Sequence, residues 1–197
     1  MFFGSTVMAI FFGNIQAYFS DTVEIKNNRI MLVSSLPHSP DGELGLIYQR
    51  KIADKLIAEG GIGGSAAGRH LSIGLNYVLN QSERFRPLAR VGLSYLNGTG
   101  PKTETFTGGF CPFGCPIDSI TYETHPGLFG TINGGFQFRI SKKWGLEGTV
   151  GWVQTILGGG HQVIFRTSGS DVDDWESLVK AASTGGVTGN SRMFWEF

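Results

Sequence analysis

No stretch of this chain is apolar for long enough to cross a bilayer as a helix, which takes about 20 residues. The best candidate, Phe2 to Phe12, falls short of that, so any membrane reading must rest on strands. Charge is scarce as well: Asp, Glu, Lys and Arg make up 16% of the residues, against roughly 25% in an average soluble domain. Lys plus Arg equals Asp plus Glu at 16 each, and no basic run occurs, so nothing in the charge pattern attracts nucleic acid. Cysteine is limited to Cys111 and Cys115, in the loop-like "GGFCPFGCPID". Two thiols without a second pair are too few for a zinc site. In an exported protein they suit a local disulfide, with two free thiols as the alternative. The glycine-rich "GGIGGSAAG", 60 to 68, has the spacings of a phosphate-binding loop but lacks the lysine and the helix that such a loop needs. It reads as a flexible hairpin loop, and no cofactor is implied.

What the chain does have is 30 glycines and 12% aromatic residues over a length of 197, a mixture that suits strands, tight turns and apolar contact in a single domain. The opening "MFFGSTVMAIFFGNIQAYFS" has the core length and small-residue exit of a secretory signal peptide, although it lacks a basic start. Cleavage after Ala17 leaves residues 18–197 as one domain; a buried apolar strand or helix is the alternative.

Alternation with period 2 dominates the remainder. In "GLFGTINGGFQFRI", Leu128, Ile132, Phe136, Phe138 and Ile140 share one face, and Thr131, Asn133, Gln137 and Arg139 the other. After a short turn, Trp144, Leu146, Val150 and Trp152 oppose Glu147 and Thr149. "HLSIGLNYVL" and "FRPLARVGLSYL" repeat the pattern, as do "ELGLIYQR" and "KLIAEGGI", joined by a turn at "KIAD". Short turns at about 51–54, 80–84 and 141–142 alternate with longer Gly-, Thr- and Ser-rich connections at 63–69, 97–125 and 156–188. With a last strand at 189–197 and a first at about 24–35, whose consecutive Ile30, Met31, Leu32 and Val33 blur its register, the count is eight.

A soluble barrel would turn the apolar face inward. Three features favour the opposite orientation: segments long enough for tilted crossings of ~9–11 residues, the two-sided alternation of short and long connections, and aromatic residues at strand ends. Those aromatics are Tyr48, Phe85, Tyr95, Trp144, Trp152, Trp195 and Phe197, placed like the girdles at membrane interfaces.

The closing "NSRMFWEF" puts Met193, Trp195 and Phe197 on one face. With the signal-like start and three hairpins, the chain resembles bacterial outer-membrane barrels of the small OmpA/OmpX type over nearly its whole length after residue 17. The resemblance implies an all-β fold: an eight-stranded antiparallel up-and-down transmembrane barrel with long extracellular loops. It further implies outer-membrane lipid and the barrel-assembly machinery as partners, with Trp195 and Phe197 in the C-terminal assembly signal and Trp144 and Trp152 at the interfaces.

In that orientation the polar residues point inward, where an eight-stranded barrel has room only for side chains. Glu43, Glu59, Arg86, Arg90, Arg139, Glu147 and Glu196 form the expected interior charge network, with Gln49, His70, Ser72, Asn76, Thr131, Asn133 and Gln137 beside them. The leading expectation is a monomeric, non-enzymatic envelope protein, structural or binding an external ligand through the segments 97–125 and 156–188. Alternatives are a narrow channel for small or hydrophobic solutes, a lipid-modifying enzyme using His70 and Ser72, and a soluble ligand-binding barrel. In the last long segment, "DVDDWESLVKAA" reads as a short helix whose acidic residues cap it or loosely hold a cation.

Overall fold

A computed structural model describes residues 27–36, 41–79, 84–107, 117–167 and 170–197. The signal-like start and both cysteines lie outside the described residues. Eight strands close a barrel: β1 (Asn28–Ser35), β2 (Leu44–Ala53), β3 (Leu56–Ser65), β4 (Gly68–Val78), β5 (Phe85–Leu96), β8 (Gly127–Arg139), β9 (Trp144–Gly158) and β11 (Gly185–Glu196). Every neighbouring pair is antiparallel, and the last strand closes on the first from Arg29 opposite Glu196 to Ser35 opposite Asn190. Closure removes the unpaired edge that an open sheet presents. This is an eight-stranded up-and-down barrel, the architecture that the OmpA-like resemblance implied.

Side-chain direction follows parity. On β8, Ile132, Phe136 and Phe138 point out while Thr131, Asn133, Gln137 and Arg139 are buried inside. On β11, Met193 and Trp195 are on the outside, as is Phe197 just past its end, and Arg192, Phe194 and Glu196 are within. The register of β1 is settled by its partners: Ile30 and Leu32 face out, whereas Met31 and Val33 face in and pack on Ile47 and Phe194. The unbroken apolar run thus serves two surfaces, the outer wall and a small apolar cluster inside.

The connections differ from the expected ones. The "KIAD" segment is mostly strand, since β2 runs to Ala53 through a bulge and the turn is Asp54–Lys55. The glycine-rich 63–69 is not a loop: β3 continues to Ser65, β4 starts at Gly68, and only Ala66 and Ala67 turn. The two longest connections carry structure of their own. β6 (Thr99–Thr107), β7 (Ile117–Thr124) and β10 (His161–Arg166) form a three-stranded sheet in the order β10-β7-β6, and helix α1 (Ser170–Thr184) packs against β7 and β10. β11 begins at Gly185 rather than 189. Ile120, Tyr122, Val172 and Val179 make the core of this cap, with Phe106 edge-on to Trp175 at 6.1 Å.

The cap is fastened to the barrel through the β3–β4 turn. The Tyr122 hydroxyl donates to the Ala66 carbonyl (3.3 Å) and Thr124 Oγ1 donates to the Ala67 carbonyl (2.5 Å). Beneath it, Ala67, Leu96, Phe129, Val153 and Ala182 form an apolar layer across the long-connection end of the barrel.

Candidate functional site: the barrel interior and its mouth

Inward parity on the strands brings the arginines Arg29, Arg86, Arg90, Arg139 and Arg192 inside, all at most 2% exposed. Four buried carboxylates accompany them: Asp41, Glu59, Glu147 and Glu196. In so narrow a lumen an isolated ion costs several kcal/mol, and the side chains are arranged accordingly.

The upper layer centres on Asp41, which reaches in from the β1–β2 connection. It accepts two hydrogen bonds from Arg90, both 2.9 Å, one from Arg192 at 2.6 Å and one from the Ser72 hydroxyl at 2.8 Å. Two glycines permit that approach. Gly42 has φ +79°, and a Cβ on Gly63 would stand 1.7 Å from the Asp41 carbonyl oxygen. Glu59 accepts from Gln49 (2.9 Å) and Asn76 (2.6 Å) and pairs with Arg90. Glu147 accepts from Gln137 (2.7 Å) and Arg192 (2.9 Å). The lower layer is Glu196, held by Arg29 (2.6 Å) and Arg139, with Arg29 also donating to Gln137 and lying 5.0 Å over the Phe194 ring. Ile57, Val78 and Leu88 pack together inside toward the short-turn end.

Of the residues expected in this network, Glu59, Arg90, Arg139, Glu147 and Glu196 take part directly, and Arg86 is fully buried beside the lower layer. Glu43 does not join them. It stands half-buried at the rim, where it accepts from the Ala66 amide at 3.4 Å: it shares the parity of the inward Ile47 and Gln49 but precedes β2, at the cap end. Three members were missed. Arg192 shares the parity of Glu196, and that spacing alone could have found it. Arg29 was hidden by the uncertain first strand. Asp41 lies in "PHSPDGE", which carries only turn signals.

The His70 and Ser72 pair is not assembled as a catalytic site. Ser72 donates to Asp41, while His70 Nε2 is 2.9 Å from Ser65 Oγ, which itself accepts from the Ala67 amide. Both residues are buried inside the wall. Two of the acidic residues of α1 serve Arg166, which pairs with Asp173 (3.0 Å) and Glu176 (2.7 Å). Among the described residues no cluster of His, Cys, Asp and Glu is arranged to hold a metal ion.

The outer wall has the opposite character. Leu44, Ile73, Ile132 and Val150 are each more than 60% exposed. Aromatic rings gather at the short-turn end, where Phe85 stacks on Phe136 at 4.7 Å, Trp144 on Trp195 at 5.9 Å, and Phe197 lies 6.0 Å from Trp195. Tyr95 and Trp152 stand farther along their strands, toward the other end.

Among solved structures, the chain is similar to the N-terminal β-barrel domain of Pseudomonas aeruginosa OprF. Identity is 10%, the TM-score is 0.47, and the match covers 87% of this chain and 98% of that one. No family model and no curated protein matches. The architecture rests on the strand pairing itself.

Proposed function

We propose that this chain is a bacterial outer-membrane barrel that works as a non-enzymatic anchor, with its cap as the surface offered to the outside. The observation that carries the reading is the inversion of polarity across the wall: a continuous apolar exterior around a lumen of buried ion pairs. In water this arrangement would leave large apolar side chains bare on every barrel strand, far beyond the patch of a few hundred Å² usual for a soluble monomer. In lipid the same wall is the favourable solvent contact, and the closed ladder satisfies the backbone that lipid cannot hydrate.

The short turns then lie at the periplasmic side and the cap at the cell surface, as in barrels with short periplasmic turns and longer external loops. Within the segments 97–125 and 156–188, β6, β7, β10 and α1 build the cap, and these segments are the proposed binding surface, since rigidly mounted connections are where recognition concentrates. The lumen is crossed by two ionic layers and closed by the Phe129 layer, which supports an anchor over an open porin. The barrel itself, being closed, leaves no strand edge for a second copy to extend within the membrane, and the edge strands β6 and β10 belong to the cap, which supports a monomer in the membrane.

The test is reconstitution of the purified protein from the outer-membrane fraction into planar bilayers. An embedded protein with no discrete conductance steps is the expected result. Steady steps altered by Arg90→Ala would replace the anchor reading with a narrow channel, and recovery of the protein from the soluble fraction would remove the membrane reading altogether.

A further inference from the structure

Two of the glycines on β3 have no explanation inside the barrel. Gly60 and Gly64 point outward, have ordinary backbone angles, and would accept a Cβ without collision: nothing lies within 4 Å of it at Gly64, and only the Ser72 carbonyl oxygen, at 3.9 Å, at Gly60. A strand interior loses stability at each glycine, so a larger residue there would suit the strand better. What their absence of side chains creates is a groove on the outer wall.

The groove holds about 780 Å³ at the cap end of the barrel. Leu44 and Leu46 of β2 form one wall, Leu71 of β4 and Tyr95 of β5 the other, Gly63 and Gly64 of β3 the floor, and the outward side chain of Ile62 closes the lower end. A second hollow of about 320 Å³, between Ile30, Tyr48 and Gly60, lies beyond Ile62 toward the short turns. Register fixes what stands at the upper end: Gly64 is opposite Leu44 on one side and Arg69 on the other. Arg69 is exposed, and among the described residues no carboxylate pairs with it. A cation thus stands at the head of an apolar trench on a wall otherwise built to meet lipid.

We infer that this groove is a binding site for one anionic, phosphate-bearing lipid, with an acyl chain lying over Gly64 between Leu44 and Leu71 down to Ile62 and the phosphate on the Arg69 guanidinium. The charge complementarity selects the occupant. A zwitterionic lipid brings its own cation to the phosphate, so an anionic one gains more from Arg69. The guanidinium presents paired N–H donors that match phosphate oxygens. The inference rests on the membrane-embedded reading above.

The experiment is native mass spectrometry of the full chain released from phosphatidylcholine vesicles containing a minority of phosphatidylglycerol, with unheated gel mobility measured on the same samples. The expected result is one retained phosphatidylglycerol per protein. Arg69→Gln and Gly64→Leu should each reduce that retention about tenfold while mobility is unchanged; Leu at 64 enters open space, so the barrel folds. Equal retention of both lipids, or full retention by both variants, overturns the site. So does a protein dimer that Gly64→Leu abolishes, which would make the groove an interface between copies. Protein that never enters the vesicles would refute the membrane reading instead, and the mobility measurement separates that failure from the failure of the lipid site.

Discussion

Replacing Asp41 by Asn removes one negative charge from the upper ionic layer while preserving the shape of the side chain. Arg90 and Arg192, at most 1% exposed, then lose a carboxylate that accepts three of their hydrogen bonds. Breaking a buried pair from one side costs about 3–5 kcal/mol, because a charge is left uncompensated in low dielectric. Arg90 retains Glu59 and Arg192 retains Glu147, which places the loss at the lower end, about 3 kcal/mol. That is on the order of a hundredfold in the folding equilibrium. Urea unfolding in phosphatidylcholine vesicles reads it as a lower midpoint with an unchanged slope. Adding Asp41→Asn to Arg90→Met should cost clearly less than adding it to the wild type, since the two residues share one network. A loss below about 0.5 kcal/mol, typical of exposed substitutions, would refute the reasoning. It would mean that water enters the lumen and hydrates both arginines.

Other consequences follow from the same geometry. Val150→Arg, at a site 63% exposed on the outer wall, should lower folding into vesicles by ~2–4 kcal/mol near the midplane; unchanged folding would mean this face does not meet hydrocarbon. Gly145→Ala places a Cβ 2.2 Å from the Phe194 ring and 2.6 Å from the Phe138 carbonyl oxygen. Overpacking of about 1–3 kcal/mol is expected, and Phe194→Leu in the same chain should recover part of it. In the cap, burial raises the Tyr122 hydroxyl above its ordinary value of 10.0. The folded state holds that proton more tightly than the unfolded one, so the contribution is complete below about pH 10 and is lost as pH rises through the raised value. Amide exchange in the cap should therefore accelerate at alkaline pH before the barrel strands respond.

The barrel was legible because its wall changes polarity at every second residue. Leu146 against Glu147 and Phe138 against Arg139 show the separation in adjacent letters. Where the contrast fails, so did the reading. Met31 and Val33 face inward yet are apolar, because they fill space around Phe194. The cap was less visible for a different reason: "TGPKTETFT" is polar on both faces, and the strand signal of Ile120 and Tyr122 spans too few residues to rise above its surroundings. The helix, by contrast, carried its start in Asp171 and Asp173 and was placed within two residues at each end. Asp41 shows the limit of local pattern. Its importance lies in a carboxylate reaching Arg192, 151 positions away, and no feature of "SPDGE" encodes that distance. The groove was misread because glycine in "GGIGGS" signals a loop as readily as a bare strand surface, and only the strand pairing of β3 decides between them.

The central claim is that the apolar face meets lipid around a closed barrel. Gel mobility of the protein extracted from the outer-membrane fraction, unheated against boiled in detergent, tests it most directly. The account predicts a compact, fast-migrating form that boiling abolishes. A soluble protein whose mobility does not depend on heating would contradict it and turn the apolar face toward a core.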